Sequence, residues 1–155
     1  NQSSEKELEL FQEGLLEVLP LAEDLGIHLL VEPEPELLIE NSHQFIKFMK
    51  KFDSKYLGLN FDIGHFFCVN EDPHKLILDL QDYIKHIHLE DIAFSKKHFH
   101  LIPGHGVIDF KEIFNSLNLI NYTGYITVEL YPYQKNPQNA AIESMTYLKP
   151  LIENV

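Results

Sequence analysis

The sequence holds one cysteine, Cys68, so no disulfide can form within the chain. No hydrophobic run approaches the ~18 residues that a bilayer-spanning helix needs, and the first residues carry no secretory signal pattern. Basic residues never run longer than two in a row, while the formal net charge is −12 with histidine neutral. Such a field repels DNA, RNA and anionic lipid. Nucleic acid and membrane are therefore poor expected partners, and a small polar ligand is a better one. Together these absences lead us to expect a soluble, cytoplasmic protein.

What is present is a folding composition. Of 155 residues 45% are hydrophobic, with seven tyrosines and eleven phenylalanines, enough for one modest domain and its core. No charge block, Gly/Ser linker or low-complexity run marks a boundary, so residues 1–155 are expected to form a single domain. The first residue is Asn1 and not Met, and the chain is expected to be a piece of something longer.

Residues 5–25 show a helical stripe of Leu8, Phe11, Leu15, Leu16, Val18, Leu19, Ala22 and Leu25. Ser4 is expected to cap it with Glu7 at the capping-box position, Pro20 to kink it and Gly26 to end it. A short strand over 27–31 exits at Glu32 into Pro33-Glu34-Pro35. A helix over 41–52 follows, capped by Asn41 or Ser42. YLGLNFDIGHFF, residues 56–67, then alternates as a buried strand and delivers Asp62 and His65. Asp72-Pro73 opens a helix to about residue 83. IKHIHL, residues 84–89, is a third strand, exiting at Glu90-Asp91. A loop over 92–108 leads to Asp109, the expected cap of a helix over 110–117. A fourth strand over 125–128 exits at Glu129, and Asn136-Pro137 starts a last helix ending near Ile152.

Four apolar strands alternating with helices predict an α/β protein with a mostly parallel sheet. An open doubly wound sheet and half of an eight-stranded barrel both accommodate four units. The first usually places a glycine-rich phosphate loop after its first strand, where this chain has the anionic, glycine-free EPEPE. In a barrel all strand ends share one mouth. That explains why each exit carries a ligand-type residue: Glu32, Asp62 with His65, His86 and His88, and Glu129. A carboxylate or imidazole at the end of an apolar strand is costly without compensation, and a divalent cation compensates both. The mixed oxygen/nitrogen set suits Mn²⁺, Mg²⁺, Zn²⁺ or Co²⁺. The imidazoles of His86 and His88 share one strand face.

The ordered set VEPEP, LNFDIGHFF, HIHLED, HLIPGHGVIDF and ITVELYP resembles the C-terminal half of the xylose isomerase-like TIM barrel superfamily, and within it the sugar phosphate isomerase/epimerase group. The resemblance implies the C-terminal half of a (β/α)8 barrel, with its N-terminal strands missing. It implies Glu32, Asp62, His88 and Glu129 as metal ligands, Glu32 and Glu129 also as catalytic acid/base, and His65, His86 and His100 as substrate-binding residues. The implied activity is a metal-dependent isomerisation or epimerisation of a sugar or sugar phosphate through an enediolate. An inosose dehydratase-like lyase is an alternative. So is an endonuclease IV-like phosphodiesterase, a branch in which an Asp-x-His pair binds metal where this chain has His98-Phe99-His100.

Blander readings stand beside these. Glu34 and Glu36 read as a solvated turn, His28 as a packed or edge histidine of the first strand, and Cys68 as an apolar loop residue. Gly104 and Gly106 either cradle a phosphate through their N–H groups or shape a turn feeding Asp109. Phe66-Phe67 and Tyr131–Tyr133 either wall a sugar site or pack in a core. Half a barrel exposes two sheet edges and its apolar inner face, so self-association into a homo-oligomer is expected.

Overall fold

A computed structural model describes residues 2–153. Four parallel strands form one sheet in chain order: β1 (Leu29–Val31), β2 (Leu57–Asp62), β3 (Ile84–Leu89) and β4 (Ile126–Val128). Chain order without a reversal is how barrel wall is built; a doubly wound sheet changes direction at a switch point. The helices are α1 (Gln2–Leu25), α2 (Ser42–Met49), α3 (Ile63–Cys68), α4 (Pro73–Asp79), α5 (Phe110–Leu119) and α6 (Pro137–Ile152), with a 3-10 turn at Tyr131–Tyr133. No described helix is long and apolar enough to cross a membrane.

Local chemistry explains most boundaries. Gly26, at φ 66°, ends α1 in a Schellman motif: the Ile27 N–H reaches Ala22 O at 2.9 Å and the Gly26 N–H reaches Glu23 O at 3.2 Å. Asn41 caps α2, its side chain accepting the Gln44 N–H at 2.9 Å. Ser42 instead donates its hydroxyl to Glu71 at 2.5 Å. Asp109 caps α5 through the N–H groups of Lys111 and Glu112.

Several expectations are corrected. α1 begins at Gln2, so Ser4 lies inside it and does not cap it; Pro20 lies within the helix. Leu16, Val18 and Leu25 of its predicted stripe stay exposed. α4 stops at Asp79, and the Asp72 carboxylate pairs with Lys75 at 3.0 Å and His74 at 3.2 Å rather than capping. α6 starts at Pro137 with Asn136 as its N-cap residue, as expected, without a side-chain cap bond. His28 precedes β1 and is exposed, resting against Tyr56. Cys68 lies not in a loop but at the end of α3, half-buried, with its thiol pushed up to about 11 by burial.

The sheet has an apolar outer face and a polar inner one. Leu57, Leu59, Phe61, Ile84, Ile87 and Leu89 are buried toward the helices, each worth roughly 1.5–3 kcal/mol of transfer free energy. Register decides the inner face. Leu59 pairs with Ile84, yet Asn60 pairs with His86, so Lys85 is an extra residue in β3. A one-residue bulge reverses the side-chain parity beyond it. Because of it, His86 and His88 stand beside Asn60 and Asp62, with Thr127 of β4 opposite His88. Leu30, beside Gly58 on this face, is 36% exposed. Each edge strand, β1 and β4, pairs with one neighbour among the described residues.

Candidate metal and acid–base centre

The inner face ends in a ring of acids around one imidazole. Glu32 directly follows β1. Glu129 extends the β4 ladder by one residue, its N–H reaching Leu89 O at 3.1 Å. His88 Nδ1 lies 3.0 Å from Glu32 Oε1, 3.3 Å from Glu129 Oε2 and 3.9 Å from Asp62 Oδ2. One ligand atom from each of these four residues lies within 4.8 Å of the others. The structure thus places all four expected metal ligands in one neighbourhood.

Electrostatics in the ring is unbalanced. The Glu32 hydrogen bond holds His88 above its ordinary value against burial. Burial pushes Glu32 up, but the hydrogen bond and charge of His88 bring it below its usual value. Asp62 is fully buried. Its Oδ1 accepts the His65 N–H at 2.8 Å, which caps α3. Burial, together with the charges of Glu32 and Glu129, raises it to about 6, although the neighbouring Glu90 carboxyl and the hydrogen bond from the His65 N–H pull the other way. Asp62 Oδ2 has no hydrogen-bond partner among the described residues. Three carboxylates share one imidazole, and a buried carboxylate oxygen points at them unpaired. That donor set fits a divalent cation.

Glu90, which the sequence reading did not single out, stands behind Asp62. It is fully buried, and its two oxygens have no donor among the described residues. Burial first, and the Asp62 charge second, raise its pKa well above the carboxylate range. The space for Glu90 exists because residue 64 is glycine: a Cβ there would collide with Glu90 Oε1. The signal available in the sequence was two adjacent acids, Glu90-Asp91, at a strand exit.

A second group lies beside the first. His65, His98 and His100 bring ring nitrogens within 4.8 Å of one another. His65 donates Nδ1–H to Pro33 O at 3.0 Å and His100 donates Nδ1–H to Glu129 O at 3.1 Å. Each neutral ring therefore keeps an unprotonated Nε2. His98 Nε2 lies 3.1 Å from His100 Nε2. Burial, and then His98, lower His65 to about 4; burial also lowers His100. A cleft of about 100 Å³ joins both groups, lined by Glu32, Glu34, His65, His98, His100, Glu129 and Tyr131. Tyr131 packs against the His100 ring at 4.6 Å. Glu34 thus lines the cleft rather than sitting in a solvated turn.

His86 and the two loop glycines have partners outside the cleft. His86 bonds Thr127 Oγ1 at 2.8 Å one step down the strand from His88 and does not line the cleft. Gly104 and Gly106 do not offer free N–H groups to a phosphate; both donate to Asp91 Oδ2, at 2.9 and 2.8 Å.

The sequence profile of the xylose isomerase-like TIM barrel matches residues 1–151. The chain belongs to this family. Within it, inosose dehydratase of Clostridium perfringens is 30% identical, the match covering 94% of this chain and 55% of that protein. A crystal structure described as a D-tagatose 3-epimerase-like protein is 32% identical with a TM-score of 0.83, over 96% of this chain and 55% of that one. The IOLI protein, solved with a bound zinc atom, is 21% identical with a TM-score of 0.75, over 90% of this chain and 52% of that one, a likeness of fold alone. The chain spans about half the length of the curated relatives it matches, as four units of a family barrel should.

Proposed function

We propose that this chain carries the metal-holding and acid–base half of a sugar or polyol isomerase or epimerase. The observation that carries the reading is His88 Nδ1 within 4 Å of Glu32, Asp62 and Glu129, acids contributed by three different strand ends. Glu32, Asp62, His88 and Glu129 would hold one divalent cation; the bound zinc of the IOLI protein supports a metal here, and Mn²⁺, Mg²⁺ and Co²⁺ suit the same donors. Such a cation supplies Lewis-acid stabilisation of negative charge on adjacent substrate oxygens.

The chain's own residues divide the rest of the work. Glu32 at the end of β1 and Glu129 at the end of β4 flank His88 from opposite edges of the sheet. One removes the proton beside a carbonyl and the other returns it to the enediolate. The unprotonated Nε2 of His65 accepts a hydrogen bond from a substrate hydroxyl, His100 with its partner His98 lines the same cleft, and Tyr131 offers an aromatic wall. Dehydration begins with the same proton abstraction, and the inosose dehydratase relatives favour it as a second reading. An endonuclease-like reaction is disfavoured by the net charge of −12 and by His98 standing in place of an Asp. A reducing cytoplasmic setting suits the lone Cys68. The open outer edges of β1 and β4 call for a companion, either further barrel strands or a second copy.

The test is exchange of the substrate α-proton with deuterated water by the metal-loaded, full-length protein carrying this chain, over a panel of ketoses and cyclic polyol ketones. Exchange is expected, with epimer, isomer or dehydrated product telling the readings apart. Glu129→Gln is expected to slow it by roughly 10²–10⁴. Undiminished turnover in that variant rejects the assignment.

A further inference from the structure

We infer that the site takes an uncharged sugar or polyol ketone and excludes its phosphate ester, because the anion nest of the loop after β3 is filled by the chain's own Asp91 carboxylate. The inference rests on the C-terminal half-barrel and metal-centre reading above and narrows its substrate class.

TIM barrels that bind phosphorylated ligands frequently hold the phosphate in the loops after strands seven and eight, on backbone N–H groups. In a C-terminal half those are the loops after β3 and β4. The first contains the glycine-rich turn Pro103-Gly104-His105-Gly106. Its donors are already spent. Asp91 Oδ2 accepts the N–H groups of Gly104 and Gly106, and Asp91 Oδ1 accepts those of Ile92 and Ile108 at 2.9 and 3.0 Å. The Asp91 backbone is clamped as well, exchanging two hydrogen bonds with Leu101 at 2.9 and 2.8 Å. Asp91 is 1% exposed, so the carboxylate is a built-in, tethered anion that a phosphate cannot displace without opening the loop.

The rest of the cleft repels a second anion. Glu32, Glu34 and Glu129 line it, and none of its described lining residues is lysine or arginine. Of the two lysines in the loop, Lys96 is drawn away over the Phe67 ring at 4.5 Å and faces another cavity, with Asp72 and Asp109; Lys97 does not line the cleft. A dianionic ester would meet like charge in the cleft and find the glycine N–H groups of the loop after β3 already bonded to Asp91.

Two measurements on the full chain test this. In the metal-free chain, excess inorganic phosphate is expected to leave the amide NMR resonances of Gly104, Gly106 and Ile108 unmoved. In the metal-loaded chain, calorimetric titration with D-fructose against D-fructose 6-phosphate, and D-tagatose against its 6-phosphate, is expected to show each ester binding on the order of tenfold or more weaker than its parent. Phosphate-induced shifts at those amides, or an ester binding as tightly as its free sugar, overturns the inference. Failure to bind metal, or loaded chain that binds neither sugar nor ester, counts against the metal-centre reading instead, and the amide measurement still decides the role of Asp91.

Discussion

Asp62→Asn separates the two jobs of one side chain. Oδ1 caps α3 through the His65 N–H, which an asparagine oxygen does equally well. Oδ2 points unpaired into the acid ring, where the loss of charge matters. In the metal-free chain the Asp62 carboxyl titrates at about 6 against an ordinary 3.8. At about 1.4 kcal/mol per tenfold change, the ionised form costs the fold up to roughly 3 kcal/mol at pH 8. A pKa raised on folding means that its contribution to stability is present below about pH 4 and lost as pH rises through about 6. The Asp62→Asn variant escapes that loss, and the amide it introduces can donate to the orphaned oxygens of Glu90. Without metal, the variant is therefore expected to be more stable than the parent by about 1–3 kcal/mol at pH 8, or roughly 2–4 °C in Tm for each kcal/mol. The difference should vanish near pH 4. With a divalent metal at about a hundred times its Kd the variant's advantage is offset: the parent gains about 2.7 kcal/mol and the variant, lacking a charged ligand, gains little. Thermal unfolding at pH 4 and pH 8, with EDTA and with Mn²⁺ or Zn²⁺, reads all four states. A variant less stable than the parent in EDTA at pH 8, or stabilised by metal as strongly as the parent, refutes the reasoning.

Three further outcomes follow from the same geometry. Gly64→Ala drives a methyl into Glu90 Oε1 and Ile92 and should cost on the order of 2 kcal/mol or more in urea unfolding. Adding Glu90→Ala should recover part of that cost, a non-additivity measured by a double-mutant cycle. Asp91→Ala strands four backbone N–H groups and should cost at least about 3 kcal/mol, with hydrogen-exchange protection lost at residues 104, 106 and 108. His65 titrates at about 4 rather than 6.5, so its contribution is intact above pH 6.5 and lost as pH falls toward 4. His65→Gln should remove roughly 2–3 kcal/mol of acid sensitivity from the metal-free chain across that window, seen in urea midpoints between pH 7 and pH 4.

Much of this protein is legible in one dimension because its determinants are local. Alternation in LGLNFD marks a strand and puts Asn60 and Asp62 on one side of it. Gly26, Asn41 and Asp109 punctuate helices within three or four residues of the bonds they make. Residues of ligand type, Glu32, Asp62 with His65, His86 and His88, and Glu129, are visible at the strand exits. The helical stripe of α1 is wider than its buried face, since the chain offers a surface for only part of it. Asp72 has the sequence signature of a cap, but two nearby cations hold its carboxylate.

The rest depends on groups that sequence distance keeps apart. No periodicity reveals that Lys85 is looped out of register, yet that bulge turns His86 and His88 toward Asp62. Nothing local tells which of Glu90 and Asp91 faces the carboxylate ring and which is consumed by the glycines thirteen and fifteen residues further on. Strand and cap preferences are energies of neighbouring residues and can be read along the chain. Parity across a ladder, and the choice of partner for a buried charge, are energies of burial that come into being when distant segments exclude water together.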